Sequence, residues 1–260
     1  MAPSPTNFSR QVQRQSGCFA ILVATLTLLA ATHLPATVII DTPAWPTGQI
    51  IPAIEIGNGN PQAQSFTLPS GSDYVFESIT MELLRDQGRS GGDGMLDPYL
   101  DTRTFDIFLY NDADGLPGSQ VGIISSANSY AAIKPAGTYD RQNYTFATQD
   151  EIHLTADSTY WIVVTMEKQT APGYLSSTSI YWYSAIPFGY TGVAADGPLD
   201  YAWYDSGAGE WISSPGFTAR FTVTARETVI PEPASWGMII SLCWLVIVIC
   251  LRRKPIADIR

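Results

Sequence analysis

Residues 217–224 read FTARFTVT. Phe217, Ala219, Phe221 and Val223 alternate with Thr218, Arg220, Thr222 and Thr224. This period of two turns one set of side chains to a core and the other to water, which is the signature of a half-buried strand. The same period recurs outward along the chain. Phe105, Ile107 and Leu109 point one way from a second strand, and Ile79, Met81 and Leu83 are in phase within residues 74–84. Residues 159–165 (TYWIVVT) are apolar on both faces, as a central strand is. Residues 63–68, 121–124, 141–147, 152–154 and 180–183 complete the set, and no stretch keeps a helical period.

Turn signals separate nearly all of these runs: Pro69-Ser70-Gly71, Asp114-Gly115, Pro117-Gly118, Pro135-Ala136-Gly137 and Pro172-Gly173. Many short strands with such punctuation predict an all-β fold, a single jelly-roll-like β-sandwich. Two segments read differently. Residues 37–61 hold Pro46-Thr47-Gly48 and GNGNP, and form an N-terminal arm or an edge strand. Residues 85–103 (RDQGRSGGDGMLDPYLDTR) are a long polar insertion between strands.

Both ends stand apart from this pattern. Arg10 and Arg14 precede an apolar run from Cys18 to about Ala31, which ends at Leu34-Pro35-Ala36. A basic region, an apolar run and a small-residue exit predict a secretory signal peptide over 1–36, cut by signal peptidase after Ala36. The alternative is an uncleaved N-terminal anchor, but the run is shorter than the ~20 apolar residues that span a bilayer comfortably. Ser16-Gly17-Cys18 precedes the apolar run where a lipobox would end it, which argues against lipidation.

The other end, residues 230–254, has three parts in order: Pro231-Glu232-Pro233, an apolar run over 236–251, and Arg252-Arg253-Lys254. The two prolines forbid helix and hold an extended, protease-accessible segment. The apolar run would span about 24 Å as a helix, slightly short of the ~30 Å hydrocarbon core, so the basic residues would snorkel. By the positive-inside rule the basic cluster and residues 255–260 stay cytoplasmic, and the body lies outside.

The tail resembles the PEP-CTERM sorting signal, also labelled an ice-binding-protein C-terminal segment. That resemblance implies processing at Pro231, Glu232 and Pro233 by an exosortase-type membrane enzyme. It implies an address and carries no ice-binding activity. Two departures stand out: the apolar run is rich in Ile, Val, Trp and Cys where the family favours Gly, Ala and Leu, and the chain continues past Lys254. A plain single-pass anchor is the alternative.

Between the ends, residues 37–229 hold 22 Asp+Glu against 8 Lys+Arg, a net of −14, whereas the whole chain is −10. Such an acidic domain does not track phosphate backbones, so nucleic acid is excluded as a partner. The three cysteines are Cys18, Cys243 and Cys250, all in the end segments. The body therefore has no disulfide and no thiolate chemistry.

Within the body, Gln64-Ser65-Phe66, IFLYNDADGLPGS (107–119) and IHLTADSTYWIVV (152–164) follow one another, then an aromatic strand. Tyr110, Asp112, Gly115, Pro117 and Gly118 mark a hairpin, and Leu154 with Thr159-Tyr160-Trp161 marks a strand. This order resembles the choice-of-anchor R domain, an exported β-domain found with varied C-terminal anchors. The resemblance covers most of the body and implies no catalytic residues.

Two clusters bear on ligands. Asn111, Asp112 and Asp114 with Gly115 resemble the opening of a Ca²⁺ loop, but the twelfth position, where a bidentate Glu closes such loops, is Gly122. The same residues are good hairpin formers, and the turn is the preferred reading. Asp93, Asp97 and Asp101 lie in the Gly-rich insertion and read as solvated charge. No cofactor is expected beyond that candidate structural Ca²⁺.

Aromatics concentrate late: Tyr181, Trp182, Tyr183, Phe188, Tyr190, Tyr201, Trp203, Tyr204 and Trp211. Trp203, Asp205 and Trp211 are the candidate sugar platform, since ring faces stack on apolar sugar faces and acids accept hydroxyl hydrogen bonds. The alternative is core filling. The single body histidine, His153, points away from Ile152 and Leu154 to the surface. One histidine excludes multi-His zinc sites, and no G-x-S-x-G elbow or phosphate cradle occurs.

The expectation is an exported, surface-sorted, non-enzymatic protein of the cell envelope, cell surface or exopolysaccharide matrix. It crosses the inner membrane and is held, at least transiently, by its C-terminal helix. A carbohydrate-binding module is the alternative, and a secreted glycan-active enzyme with paired carboxylates is a third reading.

Overall fold

Alternating side chains drive this chain into strands because each strand gains a dry side only by pairing within a sheet that covers something. The computed structural model describes residues 35–44, 53–57, 59–85, 103–135, 142–166, 179–185, 191, 199–214, 217–228, 244 and 248. Among them the strands are β1 (Thr37–Asp41), β2 (Ala53–Ile56), β3 (Gln62–Thr67), β4 (Tyr74–Arg85), β5 (Thr104–Ala113) and β6 (Leu116–Ser129). After a single 3-10 turn (Tyr130–Ala132) come β7 (Gln142–Leu154), β8 (Thr159–Met166), β9 (Ile180–Tyr183), β10 (Tyr201–Asp205), β11 (Glu210–Ser213) and β12 (Phe221–Glu227). The fold is all-β.

The strands form two six-stranded sheets. The first runs β1-β12-β4-β9-β2, with β7 also paired to β4. The second runs β11-β10-β3-β8-β5-β6. Every strand pair is antiparallel. Residues Pro35–Thr228 form one compact unit.

One buried cluster draws on both sheets. Ile79, Met81, Trp182 and Phe221 come from the first, and Phe105, Ile107, Ile162 and Val164 from the second. Each large apolar side chain buried this way contributes about 1.5–3 kcal/mol over leaving it exposed. Trp182 meets Phe221 edge-on, with centroids 6.2 Å apart. Its indole N–H donates to the Arg220 carbonyl at 2.8 Å, so the ring is buried without an orphaned donor.

The phases read from sequence match the burial. In β12, Phe221, Val223 and Ala225 are buried, and Ala219 extends the same phase one step ahead of the strand. In β9, Ile180 and Trp182 are buried while Tyr181 and Tyr183 are half-exposed. Residues 37–61 supply β1 and β2, at opposite edges of the first sheet.

Three boundaries differ. The strand predicted at 121–124 is β6, fourteen residues long. Half of its residues are exposed and only Pro117 and Ile124 are buried, and apolar period cannot mark a strand that lacks an apolar side. The runs at 141–147 and 152–154 join into one strand, β7, with an irregularity opposite Phe76 and Ser78 where the alternation changes phase. β10 and β11 went unread because aromatics on both sides of YAWYD hide the period.

Gly122 in β6 is required by a close approach. A Cβ there would lie 2.6 Å from Ile152 Cδ1, so its absence lets Ile152 of β7 into the core beside β6. Residues 1–34, which carry most of the predicted signal peptide, lie outside the described residues. So do Pro231, Glu232, Pro233, Arg252, Arg253 and Lys254, and the apolar run 236–251 apart from Trp244 and Val248. Asp93, Asp97 and Asp101 also fall outside them. Among the described residues no helix is long and apolar enough to cross a membrane.

Candidate functional site

The hairpin β5–β6 sets the geometry of the outward face of the second sheet. Asp114 and Gly115 have φ of 56° and 80°, the left-handed pair that a two-residue primed turn needs. Ala113 and Leu116 pair across it. The register slips repeatedly between Phe105 and Asp112, and such bulges bend and twist a hairpin. Polar side chains of β5 satisfy the amides that these slips free. Asn111 Oδ1 accepts from Ser119 N at 2.5 Å, and Asp106 Oδ1 accepts from Ala127 N at 2.7 Å. The bent hairpin brings β6 against β11, although the two are opposite edges of the sheet.

The candidate Ca²⁺ residues are placed by this hairpin. Asp112 Oδ2 accepts from Gly115 N at 3.1 Å and its Oδ1 from Trp161 Nε1 at 2.8 Å. Asp112 and Asn111 thus spend their oxygens on donors of the hairpin and its neighbour, which is the turn reading. Gly122, the would-be closing position, faces Ile152. Among the described residues no three His, Cys, Asp or Glu side chains converge as a metal site.

The three residues read from sequence as a sugar platform do not share one face. Trp203 lies opposite Ile212 and Gln62, while Trp211 lies opposite Tyr204. Directly paired residues share a face and neighbours along a strand do not, so Trp203 and Trp211 point to opposite sides. Asp205 goes with Trp203, and its Oδ1 accepts from Gly207 N (2.8 Å) and Ala208 N (3.2 Å) to close its own turn.

What the outward face does assemble is a second, smaller cluster. Ala63, Trp161, Val163 and Ala202 are buried there, with Phe108, Tyr110, Leu116 and Trp211 packed on them. Trp161 is wholly buried though it points away from the main core. This second layer is why β8 is apolar on both sides. Around the cluster, Tyr204 and Trp211 meet edge to face, centroids 5.4 Å apart at 68°.

Asp200 stands beside it. Its N–H donates to Ser65 Oγ at 2.7 Å, and alternation puts its side chain on the face of Ala202 and Tyr204. Burial pushes the Asp200 carboxyl above its ordinary 3.8, and the charge of Asp112 raises it further. On the inner side of β10, burial alone pushes the Tyr201 phenol up to about 12. His153 is exposed, as its alternation requires.

The sequence places Tyr204 among the late aromatics but not in the platform, and gives no sign of Phe108 or Asp200 as part of this face. The signal was present in the offset of one residue between Tyr204 and Trp203, but assigning it needed the β10–β11 register.

No family model matches the chain, and no curated protein matches it. Among solved structures, a chain described as "Structure of infectious bursal disease virus Gx strain" is similar at 10% identity and a TM-score of 0.28, over 80% of this chain and 46% of that one. The protein thus spans less than half the length of that viral chain, and so distant a likeness carries no argument about fold or function.

Proposed function

We propose that this protein is an exported, surface-displayed, non-enzymatic β-sandwich of jelly-roll type, associated with the cell envelope or exopolysaccharide matrix. The observation that carries the reading is the division of the chain. Pro35–Thr228 is a compact unit, with β1 beginning at Thr37 and β12 ending at Glu227. Both address segments, 1–36 and 230–254, can therefore be removed without cutting a strand. The jelly-roll sandwich is supported by a core that draws on both antiparallel sheets.

In this reading, signal peptidase acts after Ala36 and an exosortase-type enzyme acts at Pro231-Glu232-Pro233. The helix over 236–251 holds the chain in the membrane until then, with its C-terminus cytoplasmic. Fractionation of producing cells tests it, followed by intact-mass measurement of the exported form. The expected mature chain begins at Thr37 and lacks everything beyond about Pro233. A body found in the cytoplasm would overturn the reading, and retention through Arg260 would make the tail a plain anchor.

A second reading, a carbohydrate-binding module, is favoured by the Tyr204–Trp211 pair on an outward sheet face. It complements the first, because a displayed protein needs a surface that meets the matrix.

A further inference from the structure

The six strands of the second sheet contain no Lys, Arg or His. They contain Asp106, Asp112, Asp205 and Glu210, of which Asp205 and Glu210 lie on the side of Trp203 and away from Trp211, and Asp200 adjoins them. Arg103, one residue before β5, is buried at the opposite end of that strand from Asp112. The first sheet is different: Arg220 pairs with Asp41 at 2.6 Å, and Arg226 lies 3.9 Å from both Glu77 and Glu151. Three of its acids, Asp41, Glu77 and Glu151, face a cation, and Glu55 and Glu227 accept from the hydroxyls of Ser179 and Ser72, while the acids of the second sheet have no cation on its strands.

Two of these acids rim the aromatic cluster. Asp112 is held by the Trp161 indole. The Asp200 carboxyl has no hydrogen-bond partner among the described residues and feels the charge of Asp112. Carboxylates are acceptors only, so the face demands a ligand rich in donors and bearing no negative charge. The aromatic rings demand an apolar surface on the same ligand. In an edge-to-face pair one ring keeps both its faces outside the pair, and Tyr204 with Trp211 is such a pair. A pyranose offers C–H faces to the rings and hydroxyls to the acids. An ammonium on the sugar adds the charge that the sheet does not supply itself.

We infer that the outward face of the second sheet, around Tyr110, Tyr204, Trp211, Asp112 and Asp200, binds an amino-bearing polysaccharide with free ammonium groups. This deepens the matrix-associated reading and rests on it for access to such a polymer. The rings stack on sugar faces, the Asp200 carboxylate takes the ammonium and hydroxyl protons, and Asp112, with one bond already accepted at each oxygen, adds its charge and its remaining lone pairs.

The test titrates the full chain, held in a zwitterionic detergent, with a hexamer of glucosamine and separately with its fully N-acetylated counterpart. The glucosamine hexamer is expected to bind about tenfold more tightly or better, a difference of about 1.4 kcal/mol. The preference should weaken as salt rises, because exposed charges are screened within about 10 Å at 0.1 M. Asp200→Asn should erase the preference, and Trp211→Ala should lose both ligands. His153→Ala, an exposed change on the first sheet, should alter neither. Circular dichroism of each variant checks that the sheets remain. Equal binding of both hexamers would overturn the ammonium inference, and binding of neither by folded protein would overturn the site. Cell fractionation decides the matrix reading independently, so a failed titration beside a surface-located protein refutes the site alone.

Discussion

The outward faces of the two sheets obey the same alternation and end in different states. On the first sheet several outward positions are hydroxyls and charges that meet one another. Ser78 and Thr224 share a hydrogen bond at 2.6 Å, Thr80 and Thr145 one at 2.8 Å, and Arg226 sits between Glu77 and Glu151. On the second sheet the outward positions hold Trp161, Val163, Phe108 and Tyr110, with acids that lack a cation on the strands. Period two decides only that a strand has two sides. Side-chain chemistry decides whether the outer side is a wetted surface or a second packed layer. On the first sheet much of the outer polar surface meets a partner from the same sheet, and the second carries aromatic rings in place of such pairs.

The largest test of that contrast compares Trp161→Ala with Thr80→Ala. Removing a wholly buried indole should cost about 3–5 kcal/mol, whereas the hydroxyl on the first sheet should change stability by about 0.5 kcal/mol or less. Urea unfolding measures both. Similar small losses would show that the outward layer on the second sheet does not act as a core.

A smaller effect is expected from Asp112→Ala. It leaves the Trp161 N–H without its acceptor at 2.8 Å, a loss of about 1–3 kcal/mol for a buried unsatisfied donor. Combined with Trp161→Phe, the same change should cost clearly less, since the donor is gone. A double-mutant cycle reads that coupling. Additive losses would place the value of Asp112 in its turn and not in its bond to the indole.

The smallest effect has the opposite sign. The Asp200 carboxyl titrates above its ordinary 3.8 in the fold. A raised folded value means the native state binds more protons than the unfolded chain, so stability falls as pH rises through that window. At neutral pH Asp200→Asn should therefore raise the melting temperature slightly, and the gain should vanish below the ordinary carboxylate range. A variant that is less stable than the parent at pH 7 would show that the carboxylate is compensated there, against its reading as a poised ligand group.

Legibility in the sequence followed contrast. Residues 217–224 and 105–109 show their inward phase in the sequence because apolar and polar residues alternate cleanly there. Val121 and Ile123 in β6 are exposed, so that strand carried no apolar side to count. The Asp114-Gly115 turn was legible because positive φ at two successive residues admits few other pairs. The site was legible only in part. Trp211 and Asp112 were named, but Trp203 and Asp205 were grouped with Trp211 by nearness in sequence. In a hairpin, nearness across the turn says nothing of face until the register is known.

Sequence alone determined the all-β class, the inward phase of the main strands, the acidic cysteine-free body and its separation from two end segments of different character. Each is a local property, readable from neighbours within a few residues. Tertiary structure decided that Tyr204 and not Trp203 joins Trp211, and that Asp200 stands with Asp112. It decided too that Gly122 is bare because Ile152 fills its place. These depend on which strands become neighbours and how far the β5–β6 hairpin bends. Both are set by the packing of side chains distant in sequence, which no local pattern records.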